Sequence, residues 1–468
     1  DVTAYNHNAG RAGQPPYDRA AFAPRLGYDV LTEGRIPPPC DDFGAARPAG
    51  VRRPATDSAS AATALATGFK TESGRIAWLP DGASDGRLTT IAEECRTQRG
   101  MAIGVVTTVP FDHATPAAFV SHNLSRNNYY TGYKGYRDVG IGDEIILEVK
   151  PDVVIGAGHP LLDNPKFDNR KGYASESLLG ALRSSPDYVL AERQPGVDGG
   201  RSLAAAAEQA VAKGKKLFGL YGGAGGNFDP RVPDNSPGSP GFARASGEDP
   251  TLKEATLAAL RVLSQNPRGF FLMVEQGDID WANHDNDFRR MIGCVDDLEE
   301  AVQAAVGFVD RPGDAVDWTN TVLVVTADHA TGGLCLNPAR PLSAGSLPRQ
   351  VARSDESGPV PGGHVNGSSK SKPSAQAPVS NSPYIYPDGE VSYTTLGHSN
   401  ELVSLRVNGS AASYFLKYKG SWYPGPIIDN TQVNAALRDA LGLPALTWTG
   451  RRLTPKSGEA GVAAGVRD

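Results

Sequence analysis

Apolar residues recur along the chain in two alternating rhythms. Short continuous apolar runs at 102–107, 153–155, 216–220, 270–274 and 321–325 predict buried strands. Between them, segments 87–96, 175–182, 202–212, 252–263 and 291–309 show helical spacing. In the last, Leu298, Val302, Ala305 and Val309 form one stripe suited to packing on a sheet. Strands that alternate with helices imply βα units, because parallel neighbours need a crossover connection. The expected fold is therefore α/β, doubly wound, with a mainly parallel central sheet and helices on both faces. One domain over 1–468 explains the order better than three separate ones. A final helix is expected at 432–441, before a polar tail.

Two stretches break the rhythm. Segment 222–250 is rich in Gly, Pro and Asp without a period, and Pro, Gly and Ser supply almost half of 351–390. Neither can bury much apolar surface, so both belong outside the core. Strand-like pattern resumes at 390–395, which makes 351–390 a surface insertion rather than a linker.

Composition narrows the function classes. A net charge of −6 argues against a general nucleic-acid binder, which needs a basic surface to displace counterions. It leaves room for a local site that takes a small anion. Apolar residues at 40% and charged residues at 21% support a sizeable core rather than disorder. No apolar run approaches the ~18 residues of a membrane helix, so a soluble chain without a membrane partner is expected. Four cysteines make no disulfide framework. Cys95 falls in register with Leu88 and Ile91, and Cys294 with Met291, Leu298 and Val302, as small apolar residues on buried helix faces. Cys40 and Cys335 sit in loop-like contexts and could pair.

Chemistry concentrates just after the predicted strands, where open α/β sheets collect ligands. The run FFLMVEQGDIDWANH carries Glu275, Asp278, Asp280 and His284 beyond an apolar strand. Asp280 and His284 share a face if the segment turns helical, and a carboxylate with an imidazole suits zinc. A polar loop opening a helix would look the same. The run TVLVVTADHA ends a second strand at Asp328 and His329. Adjacent strand residues point to opposite sides, so both could bind one ion only where the backbone bends. An N-cap aspartate beside an incidental histidine is the alternative. His398 follows another strand-like stretch, in TTLGHSNEL. Three of the chain's eight histidines thus fall at strand ends, which favours a binuclear metal site.

Ser58 lies in PATDSASAATALATG, at a tight turn opening an Ala-rich helix. Such a helix start offers free N–H groups to an anion, although Asp57–Ser58 also reads as an ordinary capping pair. The segment VTTVPFDHATPAAFVSHNLSR adds His113, Thr115 and Arg126. The arginine is either a bidentate phosphate clamp or a surface residue.

Taken in order, these segments resemble those of the alkaline phosphatase family. TDSASAATALATG resembles its nucleophile motif, HATPAAFVSH its magnesium and arginine segment, EQGDIDWANH and TADHA its metal motifs, and GHSNE its late histidine segment. The resemblance implies a phosphomonoesterase working at alkaline pH, with two Zn2+ and one Mg2+ as cofactors. It implies that Ser58 is the nucleophile and forms a phosphoserine. Asp280, His284 and His398 would hold the first zinc, and Asp328 and His329 the second, which also lowers the pKa of Ser58. Thr115 and Glu275 would hold the magnesium. Arg126 would clamp two phosphate oxygens, oriented by Asp57. His113 and Trp281 occupy variable positions that tune phosphate affinity and release. Small phosphate monoesters as substrates, a homodimer, and a periplasmic or secreted location follow from the same resemblance.

The resemblance departs at the start. The family opens with a strand ending in a Gly-Asp-Gly-Met-Gly-like motif whose aspartate bridges two metals. This sequence starts at Asp1-Val2-Thr3-Ala4-Tyr5, which resembles the segment just after it. An earlier natural start is the expectation, since loss of a central strand would expose backbone donors and acceptors. A catalytically impaired, metal-dependent phosphate-binding protein is the alternative. A phosphodiesterase of the same superfamily is another. A sulfatase is not, because DSASA lacks the Cys/Ser-x-Pro-x-Arg pattern.

Overall fold

The computed structural model describes residues 25–29, 55–160 (except 81, 83 and 85), 173–233 (except 224 and 225), 242–336 (except 245), 391–399 (except 394 and 395), 401–421, 426–449 and 452–455. Segment 351–390 and Cys40 lie outside these residues, and with them the expectations of an insertion and of a Cys40–Cys335 pair.

Among the described residues, nine strands build the two larger sheets: β1 (Arg25–Asp29), β2 (Ala102–Pro110), β3 (Val153–Ala157), β4 (Tyr188–Glu192), β5 (Lys216–Leu220), β6 (Phe270–Glu275), β7 (Val322–Val325), β8 (Val403–Gly409) and β9 (Ile427–Asp429). The first sheet runs β4-β5-β3-β2-β6, with every pair parallel. The second runs β9-β1-β8-β7, with β8 antiparallel to both neighbours. Every predicted strand is present, extended at its carboxyl end in β2, β3 and β6.

Alternation along the inner strand β2 decides which helices cover which face. Ile103 and Val105 enter a core with α1 (Ser58–Thr67), α2 (Ile91–Arg99), α3 (Ala114–Val120) and α4 (Glu176–Arg183). Ala102 and Val106 face α5 (Gly199–Lys213) and α6 (Leu252–Leu263). All nine β2 residues are buried, and a fully buried aliphatic side chain contributes about 1.5–3 kcal/mol. The doubly wound arrangement follows directly.

Caps set the helix limits. The expected helix at 87–96 begins only at Ile91, because Thr90 and Glu93 form a reciprocal capping box there. Segment 291–309 extends back to α8 (Phe288–Val309), where Asp287 accepts from the Arg290 N–H. The last helix, α9 (Asn430–Leu441), packs beside α1. Cys95 and Cys294 are free thiols on buried helix faces, as their register requires.

This layout leaves the carboxyl ends of β2, β6 and β7 close to the start of α1. A short antiparallel pairing, Ala330–Thr331 with His398–Ser399, carries the late histidine to the same place.

Candidate active site

Asp57 is the N-cap of α1 and accepts from the Ser60 N–H, so the capping expectation holds. The same carboxylate also accepts from Arg126 Nη1 at 2.9 Å and from the Gly74 N–H at 3.0 Å. Burial opposes its ionisation, but the Arg126 guanidinium and the Ser60 and Gly74 donors hold it below the usual carboxylate range. The next residue, Ser58, is buried with its Oγ 3.1 Å from His329 Nε2.

Past β6, the chain turns through Gly277 into the seven-residue helix α7 (Asp278–His284). A Cβ at Gly277 would lie 2.5 Å from Val109 Cγ1, so only glycine allows this close approach to β2. The α7 geometry puts Asp280 and His284 on one face, with their nearest atoms 3.4 Å apart. The bend after β7 brings Asp328 Oδ2 within 3.0 Å of His329 Nε2. His398 reaches Asp280 at 3.4 Å and stacks on His329 with ring centroids 3.6 Å apart.

The histidine tautomers bear on metal binding. His284 Nδ1 lies 2.6 Å from the Leu396 carbonyl, and His398 Nδ1 lies 2.6 Å from that of Thr56. A carbonyl only accepts, so each Nδ1 carries a hydrogen, which leaves Nε2 of each ring as the nitrogen that faces inward. Those two nitrogens are 3.0 Å apart. Two lone pairs at that distance repel unless a cation or an extra proton lies between them. Nδ1–H donation to a carbonyl is also the usual way a protein orients metal-binding imidazoles. Asp280, His329 and His398 offer ligand atoms within 4.8 Å of one another, the one such group among the described residues. The donor set fits a divalent cation.

Beneath this cluster, Glu275 accepts from Thr107 and Thr115. Burial, reinforced by Asp328 and Asp280, pushes its carboxyl up to about 7 despite those donors. His113 packs edge-on against Trp281 with centroids 5.9 Å apart, and its Nε2 lies 3.4 Å from Arg126 Nη2. Burial and the Arg126 charge push that imidazole down to about 3, so it is neutral.

A cleft of about 330 Å³ is lined by Ser58, His113, Arg126, Asp280, Trp281, His284, Asp285 and His398. Seven of these eight are residues that the sequence singles out. Asp57, Asp328, His329, Thr115 and Glu275 lie behind the lining rather than on it.

Sequence reasoning missed four contributors. Asp285 lines the cleft one turn beyond Trp281. Thr331 donates to Asp280 Oδ1 and lies 3.2 Å from His329 Nδ1, tying two ligand segments together. Alternation from His329 along Ala330–Thr331 is the signal that could have found it. Asp278, by contrast, is among the residues the sequence singles out; it is buried and accepts from Asn227 at 2.8 Å, Thr108 at 3.0 Å and Arg290 at 2.6 Å. The Thr56 and Leu396 carbonyls complete the set, and backbone acceptors leave no mark in a sequence.

Residues 40–415 match the sequence profile of the family described as Alkaline phosphatase. Alkaline phosphatase 4 of Bacillus subtilis is 33% identical over 287 residues, 60% of this chain and 50% of that protein. Streptomycin-6-phosphate phosphatase of Streptomyces griseus is 29% identical over 362 residues, 70% of each. The chain thus spans about half the length of the Bacillus relative. Among solved structures, the Thermus thermophilus alkaline phosphatase aligns with a TM-score of 0.60 at 22% identity, over 94% of this chain and 87% of that one. The cold-active enzyme of Shewanella sp. aligns at 0.58 and 23%, over 94% and 96%. These likenesses agree with the fold, and the profile match spans well over half of the sequence. The chain belongs to the alkaline phosphatase family.

Proposed function

We propose that this protein hydrolyses phosphate monoesters at alkaline pH through a phosphoserine on Ser58, with two Zn2+ and one Mg2+ as cofactors. The carrying observation is that Ser58 Oγ, 3.1 Å from His329 Nε2, opens into the same cleft as the Arg126 guanidinium and the inward-facing histidines. Asp280, His284 and His398 would hold one zinc, Asp328 and His329 the other, and Thr115 and Glu275 the magnesium. When bound, these ions would lower the pKa of Ser58 and neutralise charge on the reacting oxygens.

The chain's own residues perform the remaining work. Ser58 Oγ attacks phosphorus in line, the Oγ–P bond forms, the bond to the leaving oxygen breaks, and the proton lost from Ser58 ends on the released alcohol. Water then attacks the phosphoserine, the Oγ–P bond breaks, phosphate leaves with the water oxygen, and a proton of that water restores the Ser58 hydroxyl. Two in-line displacements retain configuration at phosphorus. Arg126 binds two equatorial oxygens, where most stabilisation of phosphoryl transfer is exerted. Asp57 keeps that fork aimed into the cleft, and neutral His113 packs between it and Trp281.

Relatives named alkaline phosphatase and streptomycin-6-phosphate phosphatase support a phosphate monoester as substrate. A homodimer and a periplasmic or secreted location rest on family membership. No helix among the described residues is long and apolar enough to cross a membrane. The deciding assay is p-nitrophenyl phosphate hydrolysis at alkaline pH, after chelation and again after adding back Zn2+ and Mg2+. Metal-restored turnover that disappears in Ser58→Ala is expected. Full activity in that variant overturns the assignment of the nucleophile.

A further inference from the structure

The Asp285 N–H donates to the Trp281 carbonyl at 3.1 Å, continuing the helical turn of α7 by one residue. Side chains four apart on such a turn lie one above the other. Trp281 and Asp285 therefore share a face, and both line the cleft that holds Ser58 and Arg126. One is a half-buried indole, steadied edge-on by His113, and the other a carboxylate whose side chain is 45% exposed. Arg290 is an ion-pair partner of Asp285, with Nη1 3.5 Å from Oδ2, but it is drawn inward by a 2.6 Å bond from Nη2 to buried Asp278.

A carboxylate in this place works against the chemistry beside it. The phosphate group is an anion, and a like charge on the cleft wall weakens its binding when the rest of the substrate is neutral. The penalty reverses if the leaving group carries a cation that meets Asp285. Indole is the best aromatic partner for such a cation, and a carboxylate next to an aromatic face is the usual chemistry of amine recognition.

We propose that Trp281 and Asp285 form a leaving-group subsite for a positively charged amine. The preferred substrates are then phosphate monoesters whose alcohol part bears an ammonium or substituted ammonium group. This rests on the phosphomonoesterase reading and adds a substrate class to it.

The test measures binding rather than turnover, so the two readings fail separately. In zinc- and magnesium-loaded Ser58→Ala protein at low salt, calorimetry compares phosphoethanolamine with glycerol phosphate. Binding of the amine ester about tenfold tighter is expected. Asp285→Asn should bring the two within about twofold, and Asp285→Lys should reverse the order. Equal binding in the Ser58→Ala protein overturns the subsite, as does a preference that survives both Asp285 substitutions. Failure of the wild-type protein to hydrolyse esters that it binds would overturn the phosphatase reading alone.

Discussion

Asp57 both caps α1 and holds Arg126, with its Oδ2 2.9 Å from Nη1, so one carboxylate places the helix that begins with Ser58, the proposed nucleophile, and Arg126, the proposed phosphate clamp. The two duties separate by substitution. Asp57→Asn keeps a capping oxygen but loses the charge, whereas Asp57→Ala loses both. The alanine variant should lose about 1 kcal/mol or more of stability, and the asparagine variant only a fraction of that. Both should raise KM for p-nitrophenyl phosphate about tenfold, because a guanidinium freed from its partner samples unproductive orientations. Thermal melts and steady-state kinetics on the two variants check this. An unchanged KM in Asp57→Asn would remove Asp57 from the clamp.

Asp278 should act as a positioning residue for the proposed metal ligands on α7. That helix has no side-chain cap of its own, yet it carries Asp280 and His284. Its anchor is Asp278, bonded to β2 through Thr108, to the segment after β5 through Asn227, and to α8 through Arg290. Breaking a buried ion pair on one side costs about 3–5 kcal/mol, although the partly exposed Arg290 should soften this. Asp278→Asn should weaken zinc binding at least tenfold, as outer-shell changes commonly do. Thr108→Val, which removes a single bond, should show a smaller effect in the same direction. Competition against a chromogenic chelator reads both. Zinc affinity unchanged in both variants would leave the network a purely structural role.

The fold was legible because its strands read as continuous apolar runs, whether buried throughout, as β2 and β3 are, or only partly buried, as β6 and β7 are. β4 escaped notice because its run is short. Its five residues, YVLAE, lie at the end of the sheet, three of them only partly buried, and polar residues flank them. β1 was missed as well, and it joins a second sheet through a parallel and an antiparallel neighbour far away in sequence. At the site, the residues most legible from the sequence are those at or just past the end of a strand, among them Glu275, Asp280, Asp328 and His329. Asp285 and Thr331 stayed hidden because their significance depends on which elements meet, and a segment's own pattern does not carry that information.

Metal removal should destabilise the fold as well as stop turnover. With Nδ1 of His284 and His398 both committed to carbonyls, the facing Nε2 atoms 3.0 Å apart are relieved by a cation. Chelation should therefore lower Tm, and zinc at a thousandfold above its Kd should restore about 4 kcal/mol. His398→Ala removes one ligand and should blunt most of that rise. A melt unaffected by chelator and zinc would argue against a resident ion at this cluster.

His122 supplies a pH dependence remote from the ligands. Buried, it lies with Nδ1 2.8 Å from Glu144 Oε1 and with Nε2 3.0 Å from the Leu88 carbonyl and 3.3 Å from Glu93 Oε2. Arg87 also bonds to Glu144. Burial disfavours the imidazolium, but Glu144 and Glu93 outweigh it and raise the imidazole from 6.5 to about 9. A raised folded-state pKa contributes stability that is complete below the unfolded value and lost as pH rises through the folded one. The contribution should be full below pH 6.5, fade across the interval, and vanish above about 9. Its size is roughly 3 kcal/mol, taking 1.36 kcal/mol per unit. Denaturant titrations from pH 6 to 10 on wild type and His122→Gln read it directly. The wild type should lose stability through this window while the variant, less stable at pH 6, stays flatter. Parallel curves would mean that His122 is neutral in the fold, held by the Leu88 carbonyl rather than by its two glutamates.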